Sequence, residues 1–147
     1  MARFTHNGSR NFIVKTYAGN TQDLLINTIG GYQGARPLTG SQPVTFDIDA
    51  DGAWTIHIEA INRSPSAAFA GRGDNVSGLF EPPGRGAWEI THNGRRNFIV
   101  KAHCAGGTDL VQNEIGPVNG SKVVTFDRGP CFWEVEADGE WSLRPRS

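Results

Sequence analysis

The sequence predicts an all-β protein made of two tandem, pseudo-symmetric antiparallel β-sandwich modules with a jelly-roll-like arrangement. The first reason is a long internal repeat, in which residues 5–54 return, with one insertion, as residues 91–141. The second is composition, because the chain has 19 glycines and its helix-forming residues do not cluster with a 3.6-residue period. The third is the alternation of apolar and polar residues around an Asp-Gly turn in each copy.

The repeat also predicts how the chain is divided. We expect a first module at residues 1–60, a linker at 61–67 and a second module at 68–147. Small modules bury only a limited part of their surface. We therefore expect the two modules to pack on each other or on a partner.

Each copy contains a strand that follows a His-Asn-Gly turn. Asn or Gly supplies the positive φ that such a turn needs. Inward positions are expected at Phe12 and Val14 in the first copy, and at Phe98 and Val100 in the second. A further short strand then enters a glycine-rich loop, at residues 24–27 and again at 110–113.

The last part of each copy is predicted to be a β-hairpin closed by Asp-Gly. The alternation in the first copy predicts these inward residues: Val44, Phe46, Ile48, Trp54, Ile56 and Ile58. The same pattern in the second copy predicts these: Cys131, Trp133, Val135, Trp141 and Leu143.

The second copy has an opening segment that the first copy lacks. Residues 69–80 are typical of extra strand, whereas only residues 1–3 precede Phe4. The first module should therefore be short by about one strand or hairpin, which leaves a sheet edge open. The linker, the other module, another chain or residues ahead of Met1 could cover it. We favour another chain, which would make the protein a homo-oligomer.

Several motifs together resemble a repeat module of bacterial and archaeal secreted or surface-attached proteins. In the second copy they are Gly71-Arg72-Gly73-Asp74-Asn75-Val76-Ser77, His92-Asn93-Gly94, Asn97-Phe98-Ile99-Val100, Asn113-Glu114-Ile115-Gly116 and Ala137-Asp138-Gly139-Glu140-Trp141. The resemblance covers the second copy and the first copy without its opening segment. It implies a small accessory β-domain, usually without catalytic residues, in a secreted or cell-surface protein.

Charge and hydropathy exclude some partners. The formal net charge is −1 and both signs are interspersed, whereas nucleic-acid-binding proteins usually carry a basic stripe. No apolar run approaches the ~20 residues of a membrane helix. We also find no basic-then-apolar leader ahead of the first repeat.

An acidic motif admits a calcium site. Asp47, Asp49 and Asp51 match the opening D-x-D-x-D-G of a calcium loop. An EF-hand would close at Ile58, so Glu59 comes one place late. Because the alternation places Asp47 and Asp49 on a strand face, a solvated strand with a turn is the preferred interpretation. A calcium site of another type is the alternative.

Polar residues that match between the copies are candidates for a repeated ligand site. With aromatic residues expected to point outward, the candidate set is His6, Asn11, Asn27, Tyr32, His92, Asn97, Asn113 and Trp88. The histidines lack Cys or His partners at metal-ligand spacing, so a turn histidine that packs on its own hairpin is the preferred interpretation. The asparagines could instead satisfy loop backbone groups. Exposed aromatics could stack on sugar rings or form a protein interface.

Cys104 and Cys131 align with Ala18 and Val44 of the first copy, which indicates buried packing rather than an activated thiolate. The sequence leaves open whether the two form a disulfide. No nucleophile elbow, P-loop or dinucleotide motif occurs. The tripeptide Arg72-Gly73-Asp74 matches an integrin-binding motif, but a turn explains it equally well.

Two function classes follow. The first is a noncatalytic accessory module that binds a glycan, a cell-surface ligand or a protein. The alternative is a structural or assembly module that oligomerises through an open sheet edge. An enzyme ranks third, because no catalytic constellation repeats between the copies.

Overall fold

The computed structural model describes all 147 residues, which form fourteen β-strands and no helix. The chain divides into two compact units, residues 1–59 and 60–147. The strands of the first unit are β1 (Ala2–His6), β2 (Asn11–Ala18), β3 (Thr21–Ile29), β4 (Tyr32–Arg36), β5 (Thr45–Ala50) and β6 (Trp54–Ile58). Those of the second unit are β7 (Phe69–Arg72), β8 (Asn75–Val76), β9 (Gly86–His92), β10 (Asn97–Cys104), β11 (Gly107–Ile115), β12 (Val118–Val124), β13 (Cys131–Glu136) and β14 (Glu140–Pro145). Nothing helical is present that is long and apolar enough to cross a membrane.

The second unit is an eight-stranded jelly roll. One of its sheets has the order β12-β9-β14-β7 and the other has the order β11-β10-β13-β8, with every pair antiparallel. Successive strands alternate between the sheets, except that β10 and β11 are neighbours in one of them. Both sheets contribute side chains to a single core, as in a β-sandwich.

The first unit has the same strand order without the first two strands. Its sheets are β4-β1-β6 and β3-β2-β5, which become the second unit's order when eight is added to each label. Both units even place a β-bulge at the same point, after Val14 in β2 and after Val100 in β10. The prediction of an all-β, sandwich-like fold is confirmed. The first unit has no counterpart of β7 and β8, so β6 and β5 are edge strands.

The Asp-Gly turn does not close a hairpin, and that prediction was wrong. Strands β5 and β6 lie in different sheets, and so do β13 and β14. The reason is a long-range contact: Asn7 holds Ala53 by two hydrogen bonds, from the Asn7 amide to the Ala53 carbonyl at 3.1 Å and from the Ala53 amide to Asn7 Oδ1 at 2.8 Å. These bonds tie the start of β6 to the end of β1 instead of to β5.

The cores of the two units differ in completeness. Trp88, Trp133, Phe80 and Phe126 form an aromatic cluster in the second unit, with ring centroids 5.3–5.7 Å apart in the contacting pairs. The buried core of the first unit is smaller and consists of Ala2, Phe4, Phe12, Val14, Leu25 and Ile26. The second unit has the larger core because β7, β8 and the residues that follow them add side chains to it.

Inward positions in the first unit are not all buried, which corrects the sequence-based expectation. Trp54 is 46% exposed and Ile58 is 60% exposed, whereas Trp141 is 3% and Leu143 is 1% exposed. Val44, Phe46, Ile48 and Ile56 are only half-buried. Alternation predicted the correct faces, but a face is buried only when another layer covers it.

The segment expected to be a linker belongs to the second unit. Asn62 and Ser64 exchange backbone hydrogen bonds with Leu79, at 2.7 Å and 2.6 Å. The Ala67 carbonyl accepts the indole N–H of Trp133 at 2.8 Å. Residues 61–67 are therefore fixed against the jelly roll.

The two ends of the first unit meet. The amino group of Met1 donates to the Glu59 carbonyl at 2.7 Å, and the Glu59 amide donates back to Met1 at 3.0 Å. The β1–β6 ladder therefore continues to the last residue of the unit.

Candidate functional site

In the second unit, β7 covers the edge of β14. Gly71 lies opposite Trp141 in the register, and the ring of Phe69 packs on Trp141 with centroids 4.8 Å apart. The indole N–H of Trp141 donates to the Gly73 carbonyl at 2.8 Å. Trp141 is thus buried and hydrogen-bonded by a strand that precedes the repeated part of the module.

Residues 74–80 cover the edge of β13 in the same unit. The Trp133 amide donates to Ser77 Oγ at 2.8 Å, and the Ser77 amide donates to the Trp133 carbonyl at 3.0 Å. The Ala137 amide donates to Asp74 Oδ1 at 3.0 Å. Val76 and Phe80, both buried, fill the core beneath.

The first unit presents the same two edges uncovered. We call the outer sides of β5 and β6 the open edge. Trp54 is the counterpart of Trp141 in the strand register, but no strand of the first unit supplies a counterpart of Phe69 or of the Gly73 carbonyl. The Phe46 and Ala50 amides correspond to those of Trp133 and Ala137, and the shared register directs them away from β2.

Nothing in β6 protects this edge. Edge strands are commonly shielded by Lys, Pro or a β-bulge, because exposed N–H and C=O groups can pair with another chain. The sequence of β6 is Trp-Thr-Ile-His-Ile, and its pairing with β1 is regular from end to end. A regular edge strand with an apolar residue at every second position is the kind to which an extended segment adds.

Each unit also holds a buried histidine, one of the matched candidates. His6 Nδ1 lies 2.8 Å from the Gly30 carbonyl, and His92 Nδ1 lies 2.9 Å from the Gly116 carbonyl. The rings stack on Phe12 and Phe98, 4.5 Å and 4.4 Å between centroids. His6 is on β1 and Phe12 on β2, and the equivalent pair is on β9 and β10; in each unit these two strands belong to different sheets, so the histidine packs across the sandwich and not on a hairpin of its own.

The other ring nitrogen of each histidine faces a carboxylate. His6 Nε2 is 3.2 Å from Asp51 Oδ1, and His92 Nε2 is 3.3 Å from Asp138 Oδ1. These distances suit an ion pair, but neither Nε2 makes an aligned hydrogen bond. We regard the contacts as electrostatic, because the atoms are close and the direction is poor.

The two aspartates join neighbouring turns. Asp51 Oδ2 accepts the amides of Ser9 and Arg10, both at 3.1 Å, and Asp138 Oδ2 accepts those of Arg95 and Arg96, at 2.9 and 3.1 Å. Partial desolvation alone would raise the pKa of each carboxyl. The amide hydrogen bonds and the nearby histidine outweigh it and hold the pKa of both below its usual value.

The three carboxylates of the acidic motif do not come together in the structure. Asp47 and Asp49 lie exposed on β5, while the Asp51 carboxylate is engaged by turn amides. No group of three or more His, Cys, Asp or Glu side chains is arranged to hold a metal ion. Asp47 and Asp49 share one face of β5, but Asp51 lies beyond the end of the strand, where its carboxylate accepts the amides of the neighbouring turn instead of joining them.

Among the remaining ligand candidates, only the asparagines of each unit are brought together, as diagonal neighbours on paired strands. Trp88 was expected to point outward, but it is 1% exposed and lies in the aromatic core, which removes it from the set. Tyr32 is half-buried against Phe12, with centroids 5.9 Å apart. The matched asparagines are exposed, on β2, β3, β10 and β11: Asn11, Asn27, Asn97 and Asn113.

The cysteines form a disulfide, which the sequence left open. Cys104 and Cys131 are directly opposite each other on β10 and β13. The first unit has Ala18 and Val44 at these positions. Only the second unit is cross-linked.

The second unit has an open, shallow depression of about 730 Å³ on its β12-β9-β14-β7 sheet. Polar residues around it include Arg72, Thr91, Asn119, Ser142 and Arg144. It offers hydrogen-bonding groups, but its one aromatic residue, Trp141, is 3% exposed.

No family model, curated protein or solved structure matches the chain.

Some functional residues were missed at the sequence level. Asp74 and Ser77 were noted only within a motif, although their side chains hold β13. The carboxylate of Asp51 was considered for metal binding and not as the partner of His6. The signal was available, because His-Asn-Gly and Asp-Gly recur together in both copies.

Proposed function

We propose that the chain is a noncatalytic assembly module whose first unit accepts an extended segment of another polypeptide at the open edge. The observation that carries the proposal is the contrast between two equivalent tryptophans, Trp54 at 46% exposure and Trp141 at 3%. The second unit covers that position with its own strand, and the first unit has none. Strand addition satisfies the backbone groups of such an edge and buries its apolar side chains together.

A graft tests this proposal. A copy of residues 66–86 is fused directly before Met1, because Met1 aligns with Ala87, the residue that follows this segment in the second unit. We expect slower hydrogen exchange at the β6 amides and weaker acrylamide quenching of Trp54. The control graft carries Phe69→Ser, Val76→Ser and Phe80→Ser within the copied segment and should give neither effect.

The outcomes are distinct. If the unaltered graft leaves β6 as exchangeable and Trp54 as quenchable as before, the edge is not an acceptor and the proposal is wrong. Equal protection by both grafts would also overturn it, because the copied side chains would then have no role.

Glycan binding is the second candidate, and the polar depression of the second unit is the observation in its favour. Arg144 and Ser142 on β14 would donate to sugar hydroxyls there. A glycan array that compares the chain with its Arg144→Ala variant tests this candidate. Binding that is absent, or that is unchanged in the variant, would reject it.

A further inference from the structure

This inference rests on the proposed function and specifies the partner. We infer that the donated segment carries a definite pattern: an aromatic residue, glycines two and four positions later, then aspartate, an apolar residue, serine and a second aromatic residue. The pattern is that of Phe69, Gly71, Gly73, Asp74, Val76, Ser77 and Phe80. The first unit retains the tryptophan and the backbone amides that these residues contact in the second unit, whereas Phe126, which also packs on Phe80, has no aromatic counterpart in residues 35–43.

Trp54 selects the first glycine. In the second unit a Cβ on Gly71 would lie 3.0 Å from Trp141 Cζ2, which is tighter than ordinary contact. Trp54 occupies the same register position on β6. The residue of the bound segment that lies opposite Trp54 must therefore be glycine, because a side chain there would clash with the indole ring.

The second glycine and the aspartate meet polar groups. Gly73 has φ +69°, a conformation that favours glycine, and its carbonyl accepts the Trp141 indole N–H. Asp74 accepts the Ala137 amide. The first unit offers the same two donors, the Trp54 indole and the Ala50 amide. A bound segment without these two acceptors would exclude water from the Trp54 indole N–H and the Ala50 amide and leave both without a hydrogen-bond partner.

The serine and the apolar residues complete the match. Ser77 pairs with both backbone groups of Trp133, whose counterpart is Phe46. Phe80 packs on Trp133 at 5.7 Å between centroids, so the donor's second aromatic would meet Phe46 and complete the half-buried layer of β5. Apolar side chains in period-2 alternation beside unpaired amides fit a polypeptide strand better than a sugar.

The experiment uses the full chain and a synthetic peptide with the sequence of residues 66–81. The second unit serves as the internal reference, because its own segment already fills the equivalent site. We expect saturable binding of one peptide per chain, with protection of the β6 amides in hydrogen exchange and no change at β14.

Peptide variants test the pattern without altering the protein. The Gly71→Val peptide should bind at least about tenfold more weakly, because its side chain would meet Trp54. The Asp74→Ala peptide should lose about fivefold, the value of one hydrogen bond. In the Trp54→Ala chain, the peptides with glycine and valine at position 71 should bind equally.

The results separate this inference from the proposed function. If all the peptides bind equally while the graft protects β6, the inferred sequence pattern is wrong but the proposal that the open edge accepts a strand is retained. Failure of the peptide and of the graft together overturns both. Peptide-induced changes at β14 would mean strand exchange in the second unit and contradict the inference. A dimer whose β6 amides are protected without peptide would mean that a second copy fills the edge, and it would also overturn the pattern.

Discussion

Gly8 and Gly94 are the residues on which the histidine–aspartate contacts depend. An added Cβ at Gly94 would lie 2.1 Å from Asp138 Oδ1 and 2.4 Å from His92 Nε2, and Gly8 has the same surroundings. The glycine is needed for space and not for its φ, because neither residue has a positive φ. From the sequence alone, a glycine in a turn is expected to be there for its positive φ and not for space.

We predict that Gly94→Ala destabilises the second unit by about 1–3 kcal/mol, the usual cost of overpacking. Urea unfolding followed by intrinsic fluorescence measures the change. Gly120→Ala is the matched control, since nothing lies within 4 Å of its added Cβ. Equal stability of the two variants would show that the turn relaxes freely.

The aspartates make stability depend on pH. The folded pKa of Asp138 is lowered, so its contribution is fully present above the unfolded pKa of about 3.9 and is lost as the pH falls through the folded value. We predict that Asp138→Asn is less stable than the wild type near neutral pH and that the difference shrinks in acid. Unfolding free energies at several pH values test this, and parallel curves for the two proteins would contradict it.

The paired tryptophans should respond differently to truncation. Trp141→Ala creates a core cavity and should cost roughly 3–5 kcal/mol. Trp54→Ala removes a half-exposed side chain and should cost at most about 1 kcal/mol. Thermal melts of the two variants decide the matter. A large loss for Trp54→Ala would mean that another surface already covers it.

At the scale of elements, the faces of strands could be predicted and their partners could not. Alternation placed Phe46, Ile48 and Ile56 on the inward sides of their strands, and all three pack on the buried core of the first unit. The pairing of β5 with β6 was inferred from Asp-Gly and was wrong, because Asn7 joins β6 to β1. A turn motif reports local backbone conformation, whereas sheet membership depends on contacts between residues far apart in sequence.

The candidate site was predicted in outline only. The absence of a counterpart to residues 69–80 predicted an open edge in the first unit. Its chemistry was not predictable, because the roles of Asp74 and Ser77 depend on amides of β13, distant in the chain. Burial was misjudged at Trp88 for a related reason: its aromatic partners, Phe126 and Trp133, come from two other segments of the chain.

The disulfide is an element-scale difference between the units. Its cysteines are 27 residues apart, and closing a loop of that length is worth about 3.5 kcal/mol in the chain-entropy account. We predict that Cys104→Ala with Cys131→Val, the residues of the first unit, lowers the unfolding free energy of the second unit by about that amount. Reductant added to the wild type should have the same effect. A variant as stable as the oxidised wild type would contradict this.

At the scale of the whole molecule, the two units share a strand order but differ in completeness. The first has six strands and no disulfide, and the second has eight strands and one. Smaller units bury a smaller fraction of their surface and are less stable. The repeat in the sequence indicated the common strand order, and the lack of a counterpart to residues 69–80 in the first copy indicated that its unit is smaller.

We therefore predict that the chain unfolds in two steps, with the first unit melting at the lower temperature. Hydrogen exchange during a thermal ramp should show β1 to β6 opening before β9 to β14. The graft of residues 66–86 should raise only the first step. A single cooperative transition that involves both units would contradict the prediction.

The meeting of Met1 and Glu59 has a mechanical consequence. Tension between Met1 and the chain that continues from Glu59 acts at one end of the β1–β6 ladder. The hydrogen bonds then carry the load one after another, as when two strands are peeled apart, and not all at once as in shear. Within a tethered assembly, the first unit would extend at low force while domains loaded in shear stayed folded.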